Sequence, residues 1–365
     1  MNSIFFINNF DYFFSHRFNL LKELNKRVSV AVACDTSNAN VSNLEECVES
    51  NIEVIHIKNT AKEGILGKFI QCKSQLKVLN DLKPQNALFV TLESSIIGII
   101  ASFVNRKINY YFLITGLGPF FKKKTPKYIS FKCIALFLIF ICSPRHHFIV
   151  QNIDDENYFR SKVKKLTKIS GNGICTSEFK FLKRSSTRPS FLFLSRLVKS
   201  KGINDYLEAV EDISKEHRNI SFKLGGIFDE ANPESIELTL FNKIKSHPQI
   251  IYLGEVTRRN LARILRESDI FILGSEREGM PQAILEAAST GMPIITTNVP
   301  GCRECIDSNG CLYEYGNVKQ LIESIKSYLD GTSRIQYESV KSRELVIKNF
   351  EIKKIADDFL KIMKN

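Results

Sequence analysis

The sequence predicts an α/β fold made of two doubly wound, Rossmann-like domains. Three observations carry this reading. Strand-like and helix-like segments alternate along most of the 365 residues. The strand segments are apolar almost throughout, not at every second residue, as in parallel strands covered on both faces. The alternation comes in two series with a polar, aperiodic stretch between them, and a chain of this length favours two domains over one.

The first series contains SIFFIN (3–8), RVSVAVAC (27–34), IEVIHI (52–57), ALFVT (87–91) and INYYFLIT (108–115), rich in β-branched and aromatic residues. Helical patterns such as SHRFNLLKELNK (15–26) and GKFIQCKSQLKVLNDL (67–82) separate them. The second series is SFLFLS (190–195), ISFKLG (220–225), QIIYLG (249–254), DIFILG (269–274) and PIITT (293–297). Between the series, SGNGICTSEFKFLKRSSTRPS (170–190) is rich in Ser, Gly and basic residues and has no periodicity. The expected organisation is an amino domain at 1–172, a linker at 173–189 and a second domain at 190–345. A carboxy-terminal helix at 346–365 is expected to pack back on the amino domain. Open α/β sheets bind ligands at the carboxyl ends of their strands, so the site is sought in those loops.

The chain is 44% apolar and 25% charged, with a net charge of +12. Excess Lys and Arg suits an anionic partner: nucleic acid, a phosphorylated substrate or an anionic membrane. The lysines are spread over both halves, without the basic stripe or recognition helix of a nucleic-acid binder, so nucleic acid is set aside. The nine cysteines are scattered and odd in number, which suits a reducing cytosol better than a disulfide framework. The start, MNSIFFINNFDYFF, lacks a basic region and a cleavage site and reads as a first buried strand. No apolar run approaches the roughly 20 residues of a spanning helix.

Two stretches carry chemistry. In EGMPQAILEAASTGMPIIT (278–296), Glu278 and Glu286 flank a Gly-Met-Pro turn and the start of a helix. Pro281 is expected in the first helical turn, where its missing N–H costs nothing. The N–H groups within 279–282, proline apart, then form an anion site, strengthened by the helix dipole, with a carboxylate on either side for sugar or ribose hydroxyls. An ordinary helix with a solvated glutamate has the same spacing. In FLFLSRLVKSKGI (191–203), a buried strand ends at Ser195-Arg196, and Lys201-Gly202 opens the next helix. Arg196 and Lys201 can hold a phosphate, the first as a fork and the second as a mobile point charge; a solvated basic loop is the plainer reading.

Together these stretches resemble the retaining glycosyltransferases of the GT-B fold, family 4. FLFLSRLVKSKGI resembles that family's G-R-L-x-x-x-K-G loop, and SEREGMPQAILEAASTGMPIITTNVPGCREC its E-x7-E segment. LGEV (253–256) and SDIFILGS (268–275) fall between them in the family's order. In the amino half, DYFFSHRFNLLKEL (11–24), ITGLGPFF (114–121), FIVQNIDDENYF (148–159) and GNGICTSEF (171–179) resemble the branch that builds bacterial polysaccharides and lipid-linked oligosaccharides.

The resemblance implies two domains facing across a cleft and a role for each candidate. Glu278 would hold donor-sugar hydroxyls and Glu286 the nucleotide ribose. Arg196 and Lys201 would hold the diphosphate. The amides near Gly279, Met280 and Pro281 would serve sugar and phosphate, and the backbone near Val256 the base. Gly116 and Gly118 would let an amino-domain loop approach the donor. No metal is expected, because these cations and the helix start supply the charge stabilisation. Two departures stand out. Cys175 occupies a position where many members carry aspartate. The loop Thr115-Gly116-Leu117-Gly118 replaces the histidine many members place there, leaving His16 as the candidate acceptor or donor contact.

The C-x-x-C of CRECIDSNGC (302–311) lacks the paired knuckles of a zinc site. The basic run KKKTPK (122–127) before YISFKCIALFLIFICS (128–143) reads either as a solvated loop before a core helix or as a membrane-surface contact. The expected protein is a cytoplasmic glycosyltransferase, peripheral at the inner face of a bacterial plasma membrane and part of surface polysaccharide (O-antigen-like) synthesis. It moves a hexose or N-acetylhexosamine from a nucleotide diphosphate sugar, with UDP the expected nucleotide, to a polyprenyl-diphosphate-linked glycan. A GT-B nucleotide-sugar epimerase or hydrolase without a glycan acceptor is the alternative.

Overall fold

The computed structural model describes residues 2–58, 64–117 and 125–364, apart from the side chains of 64–66, 127 and 128. The chain divides into two compact units, Met1–Gly173 with Ile352–Asn365, and Ile174–Glu351.

The first unit holds a parallel sheet of β1 (Ser3–Asn9), β2 (Val30–Asp35), β3 (Glu53–His56), β4 (Asn86–Val90), β5 (Asn109–Ile114), β6 (His147–Val150) and β7 (Lys165–Lys168). Their order is β3-β2-β1-β4-β5-β6-β7. The chain starts in the middle, winds outward to β3, returns beside β1 and winds the other way, so the switch point lies between β1 and β4. Both faces of β1 are apolar because both are covered. Phe5 and Ile7 join the core under α1 (Phe10–His16), α2 (Phe18–Asn25) and α3 (Val41–Glu49). Ile4 and Phe6 join the core under α4 (Gly64–Leu82), α5 (Leu92–Val104), α6 (Pro126–Cys142) and α7 (Ile153–Arg160). Phe6 stacks on Phe89 with ring centroids 4.5 Å apart, and a Cβ at Gly98 would lie 2.5 Å from the Phe89 ring. A glycine there lets α5 close on that stack.

The second unit repeats the plan with β8 (Phe191–Leu194), β9 (Phe222–Gly225), β10 (Ile250–Gly254), β11 (Ile270–Leu273), β12 (Ile294–Thr297) and β13 (Gly310–Tyr313), in the order β10-β9-β8-β11-β12-β13. Its core on one face comes from α8 (Ile203–Glu216), α9 (Leu238–Ser246) and α12 (Val318–Lys326). The other face is covered by α10 (Arg258–Arg266), α11 (Gln282–Ser289) and the end of α13 (Thr332–Asn349).

The expected linker at 173–189 is structured. Residues from Ile174 onward belong to the second unit, where Phe179 is a core side chain. Arg184 is buried, and its guanidinium donates to the carbonyls of Arg266 (2.6 Å) and Leu265 (2.9 Å) at the end of α10. A cation on the free carbonyls of a helix carboxyl end satisfies both groups. The basic composition that reads as a linker therefore includes a buried contact. At the other end, the expected 346–365 helix is split. Residues to Glu351 stay with the second unit. α14 (Ile352–Lys364) joins the first, with Ile355, Phe359 and Met363 in its core and Asp357 paired to Arg27.

α6 is neither fully buried nor fully solvated. Ala135, Ile139 and Cys142 face the core, whereas Ile129, Ile134, Phe137, Phe140 and Ile141 are exposed. Residues 122–124 of the basic run lie outside the described residues. No helix among the described residues is long and apolar enough to cross a membrane.

Candidate active site

In the second unit the carboxyl ends of β8 and β11 lie side by side at the switch point of the sheet. The two loops that leave them hold each other. Gly202 has φ +75°, and a Cβ there would fall 2.2 Å from the Gly274 carbonyl oxygen. The Glu276 N–H donates to the Ser200 carbonyl at 2.9 Å. Only a glycine allows this approach and this left-handed conformation together.

That contact sets Lys201 against Glu278. Lys201 Nζ donates to Glu278 Oε1, and Ser275 Oγ donates to the same oxygen at 2.7 Å. The side chains of Lys201 and Glu278 are 21% and 15% exposed, so the pair is mostly withdrawn from water. The loop after β12 holds Glu278 from behind. The Glu278 N–H donates to the Pro300 carbonyl at 3.1 Å, and Thr297 Oγ1 donates to the Ser275 carbonyl at 2.5 Å. Arg196, on the same loop as Lys201, is exposed and has no ion-pair partner among the described residues. The structure therefore joins Lys201 to Glu278 and leaves Arg196 apart from them.

α11 begins at Gln282, so Pro281 is its N-cap residue and not in the first turn as expected. Pro281 is extended (φ −75°, ψ 104°), and its carbonyl accepts the Leu285 N–H at 3.3 Å. Met280 is half-buried, with Sδ 3.6 Å from the buried Cys305 thiol. Burial pushes the Cys302 thiol up to about 12 and the Cys305 thiol well up as well. Val256 is half-buried beyond β10, and a Cβ at Gly225 would lie 2.8 Å from its Cγ2.

Glu286 is not a solvated glutamate. It is 5% exposed, on a helix whose neighbouring residues Leu285, Ala287 and Ala288 are core. Burial pushes its carboxyl up to about 7, against the attraction of Arg258 and a hydrogen bond with Gln282; Glu178 adds a smaller push upward. Arg258 is pinned to Glu178 at 2.6 Å. Neither Ser275 nor Arg258 was singled out from the sequence. A serine three residues before a loop glutamate carries no signal of its own, and Arg258 reads as one cation of an ordinary amphipathic helix.

In the first unit, His16 is not in a loop. Asn9 caps α1 by accepting the Tyr12 N–H at 2.8 Å, the helix starts directly after β1, and His16 is its last residue. It is exposed, edge-on to Tyr12 at 4.8 Å. Its neighbour Arg17 is 1% exposed, and its three guanidinium nitrogens have no hydrogen-bond partner among the described residues. Gly116, just beyond β5, has φ +138°. Gly118 lies outside the described residues.

Residues 176–349 match the family model described as "Glycosyl transferases group 1". The chain is 28% identical to the N,N'-diacetylbacillosaminyl-diphospho-undecaprenol alpha-1,3-N-acetylgalactosaminyltransferase of Campylobacter jejuni, over 81% of this chain and 82% of that one. It is 23% identical to the capsular polysaccharide biosynthesis glycosyltransferase CapM of Staphylococcus aureus, over 79% of each chain. Among solved structures, Anabaena HepE in complex with UDP and glucose superposes with a TM-score of 0.80 at 15% identity, covering 100% of both chains. Sucrose-phosphate synthase from Thermosynechococcus elongatus does so with a TM-score of 0.80 at 14% identity, covering 100% of this chain and 98% of that one. The two doubly wound units, the matched carboxy-terminal domain and these relatives agree: the chain has the GT-B fold, and residues 176–349 belong to the glycosyl transferases group 1 family.

Proposed function

We propose that the protein is a retaining transferase that moves a hexose or N-acetylhexosamine from a UDP-sugar to a polyprenyl-diphosphate-linked glycan in bacterial surface polysaccharide synthesis. The observation that carries this reading is the Lys201–Glu278–Ser275 cluster at the switch point of the second sheet, with a buried carboxylate on the adjoining helix. Relatives support the acceptor: two are named for diphospho-undecaprenol substrates and one for capsular polysaccharide synthesis.

Glu278, held at Oε1 by Lys201 and Ser275, accepts donor-sugar hydroxyls. Glu286 accepts the ribose hydroxyls. The N–H groups of Gly279 and Met280, with the start of α11 after Pro281, serve the sugar and diphosphate, and the backbone beside Val256 serves the base. Arg196 swings onto the diphosphate as a charge-assisted fork. The bond from the anomeric carbon to the β-phosphate oxygen breaks, and its electron pair leaves with the diphosphate. The acceptor hydroxyl attacks that carbon from the same face, and its proton passes to the departing phosphate oxygen. Arg196, Lys201 and the helix start stabilise the leaving charge, which is the largest electrostatic demand of the step. No metal is required, and turnover is unchanged by a chelator. Gly116 and Gly118 are assigned to the donor and His16 to the acceptor.

The exposed apolar side of α6, with the exposed Phe69 and Ile70 of α4 and Ile100 and Phe103 of α5, supports a bilayer contact through the first unit. That surface suits a cytoplasmic enzyme working peripherally at the inner face of the membrane that holds its acceptor.

The test is calorimetric titration with UDP, GDP and ADP beside an Arg196→Ala variant. UDP binds, and Arg196→Ala weakens it by about 2 kcal/mol, the loss of a charge-assisted contact. Transfer from UDP-sugars to a polyprenyl-diphosphate glycan then yields a product with the donor's anomeric configuration by NMR. Inverted product refutes retention. Sugar released to water or epimerised without acceptor turnover favours a hydrolase or epimerase. Failure of every nucleotide to bind removes the roles of Arg196 and Lys201.

A further inference from the structure

At the amino edge of the first sheet, away from the strand ends that carry Asn9 and Asp35, lies a cavity of about 730 Å³. Four cations line it: Arg106, Arg145, Lys165 and Lys364. Among the described residues none of the four is in an ion pair, and no Asp or Glu lines the cavity. This differs from the surface beside it, where Arg27 pairs with Asp357 and Lys361 with Asp358. Like charges left together repel unless an anion joins them.

The floor is polar and fixed. Asn109 Nδ2 donates to Asn86 Oδ1 at 3.2 Å, and Asn86 Nδ2 donates to Ser3 Oγ at 3.3 Å. Among the described residues, the charge of the lining is that of the four cations. Burial, helped by Arg145, pushes His146 down to about 4, and burial with Lys165 pushes His147 down.

Arg106 follows the end of α5, and Arg145 follows the end of α6. Those same helix ends expose Val104 (66%) and Phe140 (68%), with Phe103 and Ile141 beside them. A cationic basin thus opens next to an apolar rim. A soluble phosphate would use the basin and leave the rim bare. An amphiphile with a phosphodiester head uses both. The exposed apolar residues of α6 run from Ile129 to Ile141, most of a helix about 25 Å long. A bilayer along α6 therefore reaches from the basin to the carboxyl edge of the sheet.

We propose that this basin holds the phosphate headgroup of an anionic phospholipid and anchors the enzyme at a second point beyond its acceptor. The inference rests on the reading of α6 as bilayer-facing and is independent of the donor chemistry. The probe is co-sedimentation of the full chain with vesicles of phosphatidylglycerol in phosphatidylcholine, against phosphatidylcholine alone. Wild type partitions to the anionic vesicles. Arg106→Gln with Arg145→Gln weakens this roughly thirtyfold, the loss of two basic contacts near an anionic surface. A control pair on the second unit, Lys243→Gln with Lys245→Gln, removes the same charge and changes partitioning less than twofold.

Phe140→Ser with Val104→Ser weakens partitioning to both vesicle types. All these side chains are exposed, so an unchanged melting temperature and unchanged UDP affinity separate lost anchoring from misfolding or a wrong donor assignment. An equal loss in the control pair means diffuse attraction and overturns the headgroup site. Titration with inorganic pyrophosphate is the remaining arm. Binding that Arg106→Gln with Arg145→Gln abolishes, without any vesicle preference, makes this a soluble-anion site and overturns the lipid.

Discussion

Glu286 gives the sharpest prediction because its burial and its proposed task pull its proton in opposite directions. In the empty enzyme, burial lifts the carboxyl from an ordinary 4.5 to about 7. A raised value means that the folded chain favours the protonated form. The stability from that form is complete below pH 4.5 and is lost as pH rises through 7. By pH 8 the ionised carboxylate costs the fold about 3 kcal/mol, at 1.36 kcal/mol for each pH unit between the two values. Glu286→Gln keeps the shape and removes the titration. By urea denaturation the variant should exceed wild type by about 2–3 kcal/mol at pH 8 and match it within about 0.5 kcal/mol at pH 4.5. An equal difference at both pH values would refute the burial argument.

Donor binding should reverse the preference. Ribose hydroxyls donate hydrogen bonds, so they favour the carboxylate over the acid. Binding then expels a proton near neutrality. At pH 6 a carboxyl of pKa about 7 is roughly one-tenth ionised, so affinity should fall about tenfold between pH 8 and pH 6. UDP-glucose is the ligand to use, because its diphosphate is esterified at both ends and does not titrate in this window. Calorimetry in two buffers of different ionisation heat reads the released proton directly. Glu286→Gln should bind weakly, with a flat pH profile and no proton release. A flat wild-type profile would remove Glu286 from the ribose contact even if the stability prediction held.

Other consequences follow from the packing. Gly202→Ala places a Cβ 2.2 Å from the Gly274 carbonyl at φ +75°; it should cost at least about 2 kcal/mol in denaturant unfolding and, by separating Lys201 from Glu278, most of the turnover. Arg184→Met should destabilise by about 2–4 kcal/mol, because the carbonyls at the end of α10 lose their buried donor; a neutral result would mean that those carbonyls find other partners. Arg17→Met should raise the melting temperature by several degrees, since a guanidinium buried without hydrogen bonds is a net cost; a fall would show that the guanidinium is satisfied in solution.

Much of the fold was legible because apolar strands covered on both faces leave a simple record. SIFFIN, DIFILG and PIITT each fall on an observed strand. What escaped was short and marginal. β7 reads KLTK and β13 GCLY, edge strands whose exposed and charged residues break the apolar pattern. The stretch at 173–189 looked like a linker because its basic residues are identical in composition to solvated ones. Arg184 is distinguished only by helix carbonyls that lie 81 and 82 residues further along the chain. The cations of the amino-edge basin come from four separate elements, so no sequence window contains them together.

The candidate site divides along the same physical line. Lys201 and Glu278 were found as loop residues, but their contact depends on Gly202 and Gly274 touching, a long-range event that local pattern does not encode. The burial of Glu286 did leave a trace: in AILEAAS every neighbour is small or apolar, the mark of a helix buried all round. A glutamate in such a helix violates the surrounding pattern, and a fold keeps such a violation at a cost in stability. Burial for its own sake gains nothing from a carboxylate, even one hydrogen-bonded to Gln282, because a leucine or glutamine would serve the core better. The cost becomes intelligible if a ligand supplies further donors, which is why measuring the proton on Glu286 tests the stability argument and the ribose assignment separately.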